Sequence, residues 1–298
     1  VVTGEVIKTV SIICPVFNIA GIPAQLEAWL REISSYPQFE TIIVHDYSDG
    51  TSGNELQSIC QQYDNVRFID GYFGNPGSAR NAGLAIATGT WITFWDCDDE
   101  PSIANFKDLI EFNKKTNPDI CFGRYKVINK NSGSKTDSPA WSDNMKINLK
   151  IVALNPGIWR IVFARELLNG VIFWPFRMAE DQIFICEAVL KARKVEFREN
   201  MVYTYFKGSL NQLTSDARAL QDLLPAFKKT IQMLETSNKE LVFFLSLMAA
   251  RQFISGIRYG NLRTKFVLVV LVSKSKLIIR KYFLNSMKTV VVNSLRGF

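Results

Sequence analysis

The segment Trp91-Ile-Thr-Phe-Trp-Asp-Cys-Asp-Asp-Glu100 is apolar and aromatic for five residues, then presents Asp96, Asp98 and Asp99 within four. So short and apolar a run reads as a strand buried on both faces. In an open α/β sheet, residues at the carboxyl end of such a strand face the crevice where ligands bind. Three carboxylates crowded there raise one another's pKa unless a cation lies among them. An all-oxygen donor set suits a hard divalent ion, Mg²⁺ or Mn²⁺, so a metal-diphosphate site is one reading. The other is structural, because Asp98 or Asp99, ahead of Pro101 and the Ile103-Ala-Asn-Phe106 run, can cap a helix.

The surrounding pattern sets the fold class. Strand-like runs over residues 10–16, 40–45 and 66–70 alternate with helical spacing over 24–33, 54–63 and 78–87 ahead of the Trp91 strand, and a further helix runs through Phe112. Strands alternating with helices imply crossover connections and a mainly parallel, Rossmann-like sheet flanked by helices. From Asp119 the pattern changes: a strand over 120–128, a polar Ser/Gly/Lys-rich loop over 129–143, a helix over 183–192, and two short strands near Val195 and over 201–206. After Thr214 the pattern is helical throughout. The expected organisation is a catalytic-type α/β domain over 1–213 and a helical, basic carboxyl-terminal region over 214–298.

Charge separates these two regions. Residues 241–298 hold ten Lys and Arg and no Asp or Glu, whereas positions 1–240 hold 25 basic against 28 acidic residues. The tail is compatible with an anionic membrane surface or a second subunit, and it carries no recognisable nucleic-acid-binding motif. No uninterrupted apolar run reaches the roughly 20 residues of a membrane-spanning helix, and Val1-Val-Thr-Gly4 carries no export pattern. The five cysteines are odd in number, widely spaced and mostly within apolar runs, which suits reduced thiols in a cytoplasmic setting. With His45 the only histidine, chemistry falls to carboxylates and a metal.

Four further segments carry chemistry. Pro15-Val16-Phe17-Asn18 follows the first strand, offering an aromatic ring beyond a strand end. His45-Asp46-Tyr47-Ser48-Asp49-Gly50 follows the second. Gly74-Asn-Pro-Gly-Ser-Ala-Arg80-Asn81-Ala-Gly83 opens a helix whose free N–H groups and Arg80 suit an anion. Phe176-Arg-Met-Ala-Glu180-Asp181-Gln182 places two acids at a helix start, where negative charge is also favourable for purely structural reasons.

Together with Asp96-Cys97-Asp98, these segments resemble, in order and spacing, the GT-A type family 2 glycosyltransferases over roughly residues 8 to 210, most tightly over 10 to 100. The resemblance implies transfer of a hexosyl or N-acetylhexosaminyl group from a nucleoside-diphosphate sugar, chiefly a UDP-sugar, to a glycan or polyprenyl-diphosphate-linked acceptor. It implies inverting chemistry dependent on Mn²⁺ or Mg²⁺, at the cytoplasmic face of the cell membrane. It assigns Pro15, Phe17, Asn18, Asp46, Arg80, Asn81 and Asp96 to the donor nucleotide, with Phe17 stacking on the base and Asp46 accepting from its imide N–H. Asp98, with Asp96, goes to the metal, Asp99 and Glu180 to support, and Asp181 to the general base. His45 and Tyr47 depart from the family's Asp and Gly. Trp159 and Arg160 offer a ring and a guanidinium for an acceptor, or equally core packing. A nucleotidyltransferase and a non-catalytic glycan-binding relative are the competing readings; the first lacks the expected Gly-rich basic loop after the first strand.

Overall fold

The computed structural model describes residues 9–17, 24–138, 149–208, 222–237 and 239–295, and the chain divides into two units. The first draws on Val1–Asp137, Ile158–Phe173 and Lys191–Gly208, the second on Ser138–Gly157, Trp174–Leu190 and Ser209–Phe298. The expected division at 213/214 falls outside the described residues.

In the first unit β1 (Val10–Phe17), β2 (Phe39–Asp46), β3 (Val66–Gly71) and β4 (Trp91–Phe94) alternate with α1 (Ala24–Ser34), α2 (Asn54–Cys60) and α3 (Pro76–Ile86). β1 pairs in parallel with both β2 and β4, and β2 with β3. Every residue of β2 and β4 is buried, as parallel strands covered on both faces require. Then follow β5 (Glu100–Pro101), α4 (Ile103–Thr116), β6 (Ile120–Asn129), β7 (Lys135–Ser138), β8 (Ile161–Ala164) and β9 (Val195–Lys207). The sheet order is β3-β2-β1-β4-β8-β6-β9-β5, with β7 paired to β6.

The expected mainly parallel sheet is found over β3-β2-β1-β4, and the antiparallel pairings lie on the other side of β4. β8 runs antiparallel to both β4 and β6, and β5 antiparallel to β9. Of the loop expected over 129–143, residues 130–134 form the turn after β6 and Lys135–Ser138 return as β7, while residues 139–143 lie outside the described residues. The two short strands expected near 195 and 201 are one long strand, β9, accommodated by register shifts opposite Phe122 and Arg124.

Close packing of α3 on the sheet explains the glycine of its Arg-Asn-x-Gly motif. A Cβ on Gly83 would lie 2.5 Å from Ile13 Cγ2 and 3.2 Å from Val44 Cγ2, both on buried β-branched side chains that cannot swing away. The helix begins two residues earlier than its expected start, because Pro76 occupies the first turn and the Asn75 side chain accepts the Ser78 N–H at 2.8 Å. At the opposite end of the strands a buried carboxylate ties the sheet together. Glu40 accepts from the Ser11 hydroxyl, from Thr88 N–H at 2.9 Å and from Arg67 Nη1 at 3.2 Å. Burial alone would raise its pKa, but these hydrogen bonds to the ionised form outweigh it and hold it below the usual range.

The second unit contains α5 (Leu149–Leu154), most of α6 (Glu180–Lys191), α7 (Leu223–Thr236), α8 (Lys239–Tyr259), α9 (Leu262–Lys274) and α10 (Leu277–Leu295). α8 is its centre, packing against α5, α7 and α10. Leu245, Leu247, Met248 and Ala249 of α8 are fully buried, and Phe283 of α10 meets Phe227 of α7 and Phe253 of α8 edge to face while those two rings are tilted against each other. Within α8, Leu241–Tyr259 is long and apolar enough to cross a membrane by length and composition, although no uninterrupted apolar run reaches that length. Half of it is buried against its neighbours, which accounts for its apolarity as helix-core packing.

Candidate active site

Strand register brings the first two motifs together. Phe17 and Asp46 are paired neighbours at the carboxyl ends of β1 and β2, and Asp46 pairs in turn with Gly71. Pro15 is tolerated in this central strand because β4 stops opposite Ile13, so beyond that point β1 has no ladder to complete on that side. Asp46 is 3% exposed, and its Oδ1 accepts the N–H groups of Ser48 and Phe73, each at 3.0 Å. Oδ2 takes no hydrogen bond among the described residues and is available to a donor from a ligand. Around it stand three exposed aromatic side chains, Phe17, Tyr47 and Tyr72, the last two edge to face at 6.2 Å. His45 belongs to the core: fully buried, it holds Asp70 Oδ1 at 2.7 Å from Nδ1 and lies parallel to the Phe68 ring. Asn18 lies outside the described residues.

The acidic turn after β4 is the most constrained part of the site. Asp96 Oδ1 accepts from Arg80 Nη2 at 2.9 Å, and the Asp96 N–H donates to the Tyr203 hydroxyl at 3.0 Å. Asp99 is 1% exposed and accepts the Phe206 N–H at 2.8 Å. Burial, followed by the charge of Asp96, raises the Asp98 pKa, with Lys130 opposing. Burial and the charges of Asp96 and Asp98 push Asp99 well above the usual carboxylate range. The turn therefore holds more negative charge than its protein neighbours neutralise.

Among the described residues no three His, Cys, Asp or Glu side chains converge as a ready-made cation cage. Mg²⁺ and Mn²⁺ are commonly held by only one or two carboxylates and completed by substrate phosphates. Asp98, penalised by burial and Asp96, and Asp99, penalised by burial, Asp96 and Asp98, supply hard oxygen donors of the right sign. Asp96 is already engaged by Arg80.

Several expected ligand contacts have other work in this structure. Arg80 is almost buried, paired with Asp96 and 5.5 Å from the Phe173 ring centre. Asn81 clasps the backbone of Phe173, donating to its carbonyl and accepting its N–H at 2.8 and 2.9 Å. Trp159 stacks on Tyr203 at 4.6 Å and on Tyr205 at 5.5 Å, and meets Tyr125 edge on. Arg160 is 1% exposed, donates to the Gly123 carbonyl at 3.3 Å and lies over Tyr125; burial lowers its pKa to about 10. Both are packed inside the first unit. Tyr203, and through it the Tyr205–Trp159 stack, supports the acidic turn from beneath.

In the second unit Glu180 and Asp181 form the first turn of α6. Asp181 Oδ1 accepts the Gln182 N–H at 2.8 Å, and Glu180 is 7% exposed. Ala179, immediately before, has φ +66°, a left-handed conformation costly for a residue with a Cβ and often retained where function demands it.

Two residues went unnoticed as site components in the sequence. Tyr203 marks itself only as half of a Tyr-x-Tyr pair, and Lys130 lies in a stretch whose composition reads as loop. Lys130 has its ammonium 4.9 Å from the Phe206 ring centre and makes no ion pair among the described residues.

The model for the family described as glycosyl transferase family 2 matches residues 11–169. A poly(ribitol-phosphate) beta-glucosyltransferase of Bacillus spizizenii is 28% identical over 201 residues, covering 66% of this chain and 32% of that protein. This chain thus spans about a third of that relative's length. Among solved structures, Staphylococcus aureus TarS 1–349 in complex with UDP-GlcNAc superposes with TM-score 0.66 at 18% identity, covering 95% of this chain and 80% of that one. Mannosyltransferase PcManGT from Pyrobaculum calidifontis, in complex with GDP-Man and Mn²⁺, superposes with TM-score 0.56 at 16% identity, covering 96% and 86%. These neighbours identify the fold as GT-A.

Proposed function

We propose, because this chain belongs to glycosyl transferase family 2, that it moves a hexosyl or N-acetylhexosaminyl group from a nucleoside-diphosphate sugar to a hydroxyl of a glycan or lipid-linked acceptor. The observation that carries this reading is the acidic turn at the end of β4, whose Asp98 and Asp99 are short of positive charge beside the Phe17–Asp46 rim. A relative named for glucosyl transfer to poly(ribitol-phosphate) supports a glycan-polymer class of acceptor. The family match disfavours the nucleotidyltransferase alternative.

Each residue then has a task its surroundings suit. Asp46, held by two backbone N–H groups on Oδ1, offers Oδ2 to the imide N–H of a uracil ring. Phe17 and Tyr47, exposed on either strand end, supply faces for that ring. The UDP-GlcNAc in TarS supports uridine as the donor nucleoside. Asp98 and Asp99 would hold Mn²⁺ or Mg²⁺, an assignment supported by the Mn²⁺ of PcManGT. When bound, such an ion offsets the charge of the departing diphosphate as a Lewis acid. Arg80 fixes Asp96, and Tyr203 fixes its backbone. Asp181 takes the proton of the acceptor hydroxyl, which attacks the anomeric carbon opposite the leaving diphosphate and inverts its configuration.

Calorimetric titration with UDP, GDP and ADP in the presence of Mn²⁺ tests the donor side. UDP is expected to bind about tenfold or more tightly than the purine nucleotides. Asp46→Ala should erase that preference and raise KM for the donor with little change in kcat, since a base contact stabilises ground and transition states alike. Equal affinity of the unmutated protein for all three nucleotides would refute the assignment of Asp46.

A further inference from the structure

We infer that the outward faces of α9 and α10 dock on an anionic lipid bilayer, an interaction that depends on neither the donor nor the catalytic assignment. Of the eleven large apolar side chains exposed among the described residues, seven lie between Tyr259 and Val292. On α9, Leu262, Phe266 and Val269 are 86%, 70% and 53% exposed, while Thr264 and Leu268 face inward. The spacing i, i+4, i+7 places those three on one stripe of the helix. On α10, Leu284 and Val291 are exposed at the same seven-residue interval as Lys281 and Lys288, with Phe283, Ser286 and Val290 turned inward.

The charge around these stripes is of one sign. Glu240 is the last acidic residue of the sequence. Arg263, Lys265, Lys274, Lys276, Lys281 and Lys288 make no ion pair among the described residues. Some cations elsewhere in the protein are paired, as Arg80 is with Asp96 and Lys229 with Glu187.

The combination selects the partner. A second copy would bring the same unpaired cations against themselves, so charge opposes self-association through either face. A soluble polyanion would satisfy the cations and leave Leu262, Phe266 and Val269 in water. An anionic bilayer answers both requirements, with hydrocarbon for the stripe and headgroup phosphate for the lysines and arginines. α8, with the length of a membrane span, is the buried centre of the helical unit, so contact is by helices lying on the surface rather than crossing it.

Flotation of the 298-residue chain with phosphatidylcholine vesicles, and with the same vesicles containing phosphatidylglycerol, tests this at low and high salt. The expected result is binding to the anionic vesicles only, weakened by salt. Each cation near such a surface strengthens binding about fivefold, so Lys281→Glu with Lys288→Glu should weaken it by about 25-fold or more. Leu262→Ser with Phe266→Ser, both at highly exposed positions, should weaken it by about tenfold or more while leaving the melting temperature unchanged. Absence of binding to anionic vesicles, binding that ignores the apolar pair, or sedimentation as a dimer that the apolar pair abolishes would each overturn the inference.

Discussion

Replacing Asp98 with Asn should lower sugar transfer by about 10³-fold or more, corresponding to about 4 kcal/mol of lost transition-state stabilisation, without destabilising the protein. The two halves of that expectation have separate causes. An amide cannot supply the anionic oxygen that a hard divalent ion prefers, so metal-dependent donor binding and turnover should fall together. The fold, by contrast, carries Asp98 at a disadvantage: burial and Asp96 raise its pKa, so its charged form is penalised in the folded state at neutral pH. A raised folded-state pKa in an acid means this penalty is present near neutrality and vanishes as pH falls through that pKa. Asp98→Asn should therefore melt at the same temperature as the unmutated protein or higher near pH 7, with the difference closing in acid. Mn²⁺ should raise the melting temperature of the unmutated protein and have little effect on the variant. A folded variant that retains its activity would refute the metal assignment, and one that melts well below the unmutated protein would refute the stability half.

Asp181→Asn should produce a different kinetic signature. Loss of a general base that acts on the acceptor lowers the transfer rate by about 10²- to 10⁴-fold. Donor affinity, measured by titration with UDP in the presence of Mn²⁺, should remain within a factor of a few. The neighbouring Glu180 is nearly buried at the start of α6, so Glu180→Gln should instead register in the melting temperature. Near-normal transfer by Asp181→Asn at saturating donor would eliminate Asp181 as the base and leave it as a charge that favours a helix amino terminus.

What the sequence disclosed depended on distance along the chain. β1, β2 and β4 were readable because parallel strands buried on both faces appear as largely apolar runs, the half-exposed edge strand β3 because Val66 and Phe68 alternate with Arg67, and Asp96, Asp98 and Asp99 because they share one turn. β5 is two residues long and β8 four, too short for any periodicity. β7 lies where Ser, Gly and Lys argue for a loop, yet it pairs with β6 because pairing, not composition, decides a short strand. The supports of the site were hidden for the same reason. Asn81 meets Phe173 across 92 positions, and the Asp96 N–H meets Tyr203 across 107. Consequently Arg80 and Asn81, whose residue types suit a phosphate, first serve the protein itself, one bracing Asp96 and the other the backbone at Phe173. The ring of Trp159 and the guanidinium of Arg160 are likewise taken up by Tyr203, Tyr205 and Tyr125 in the core.

The central claim, metal-dependent cleavage of a nucleoside-diphosphate sugar, is tested most directly by measuring nucleotide release from a panel of UDP-, dTDP-, GDP- and ADP-sugars. The assay is run with Mn²⁺ and with EDTA, with water standing in for the acceptor. Slow release of UDP from at least one UDP-sugar, abolished by EDTA and by Asp98→Asn, is the expected result. Release that persists in EDTA, or no release and no Mn²⁺-dependent binding with any donor in the panel, would contradict it.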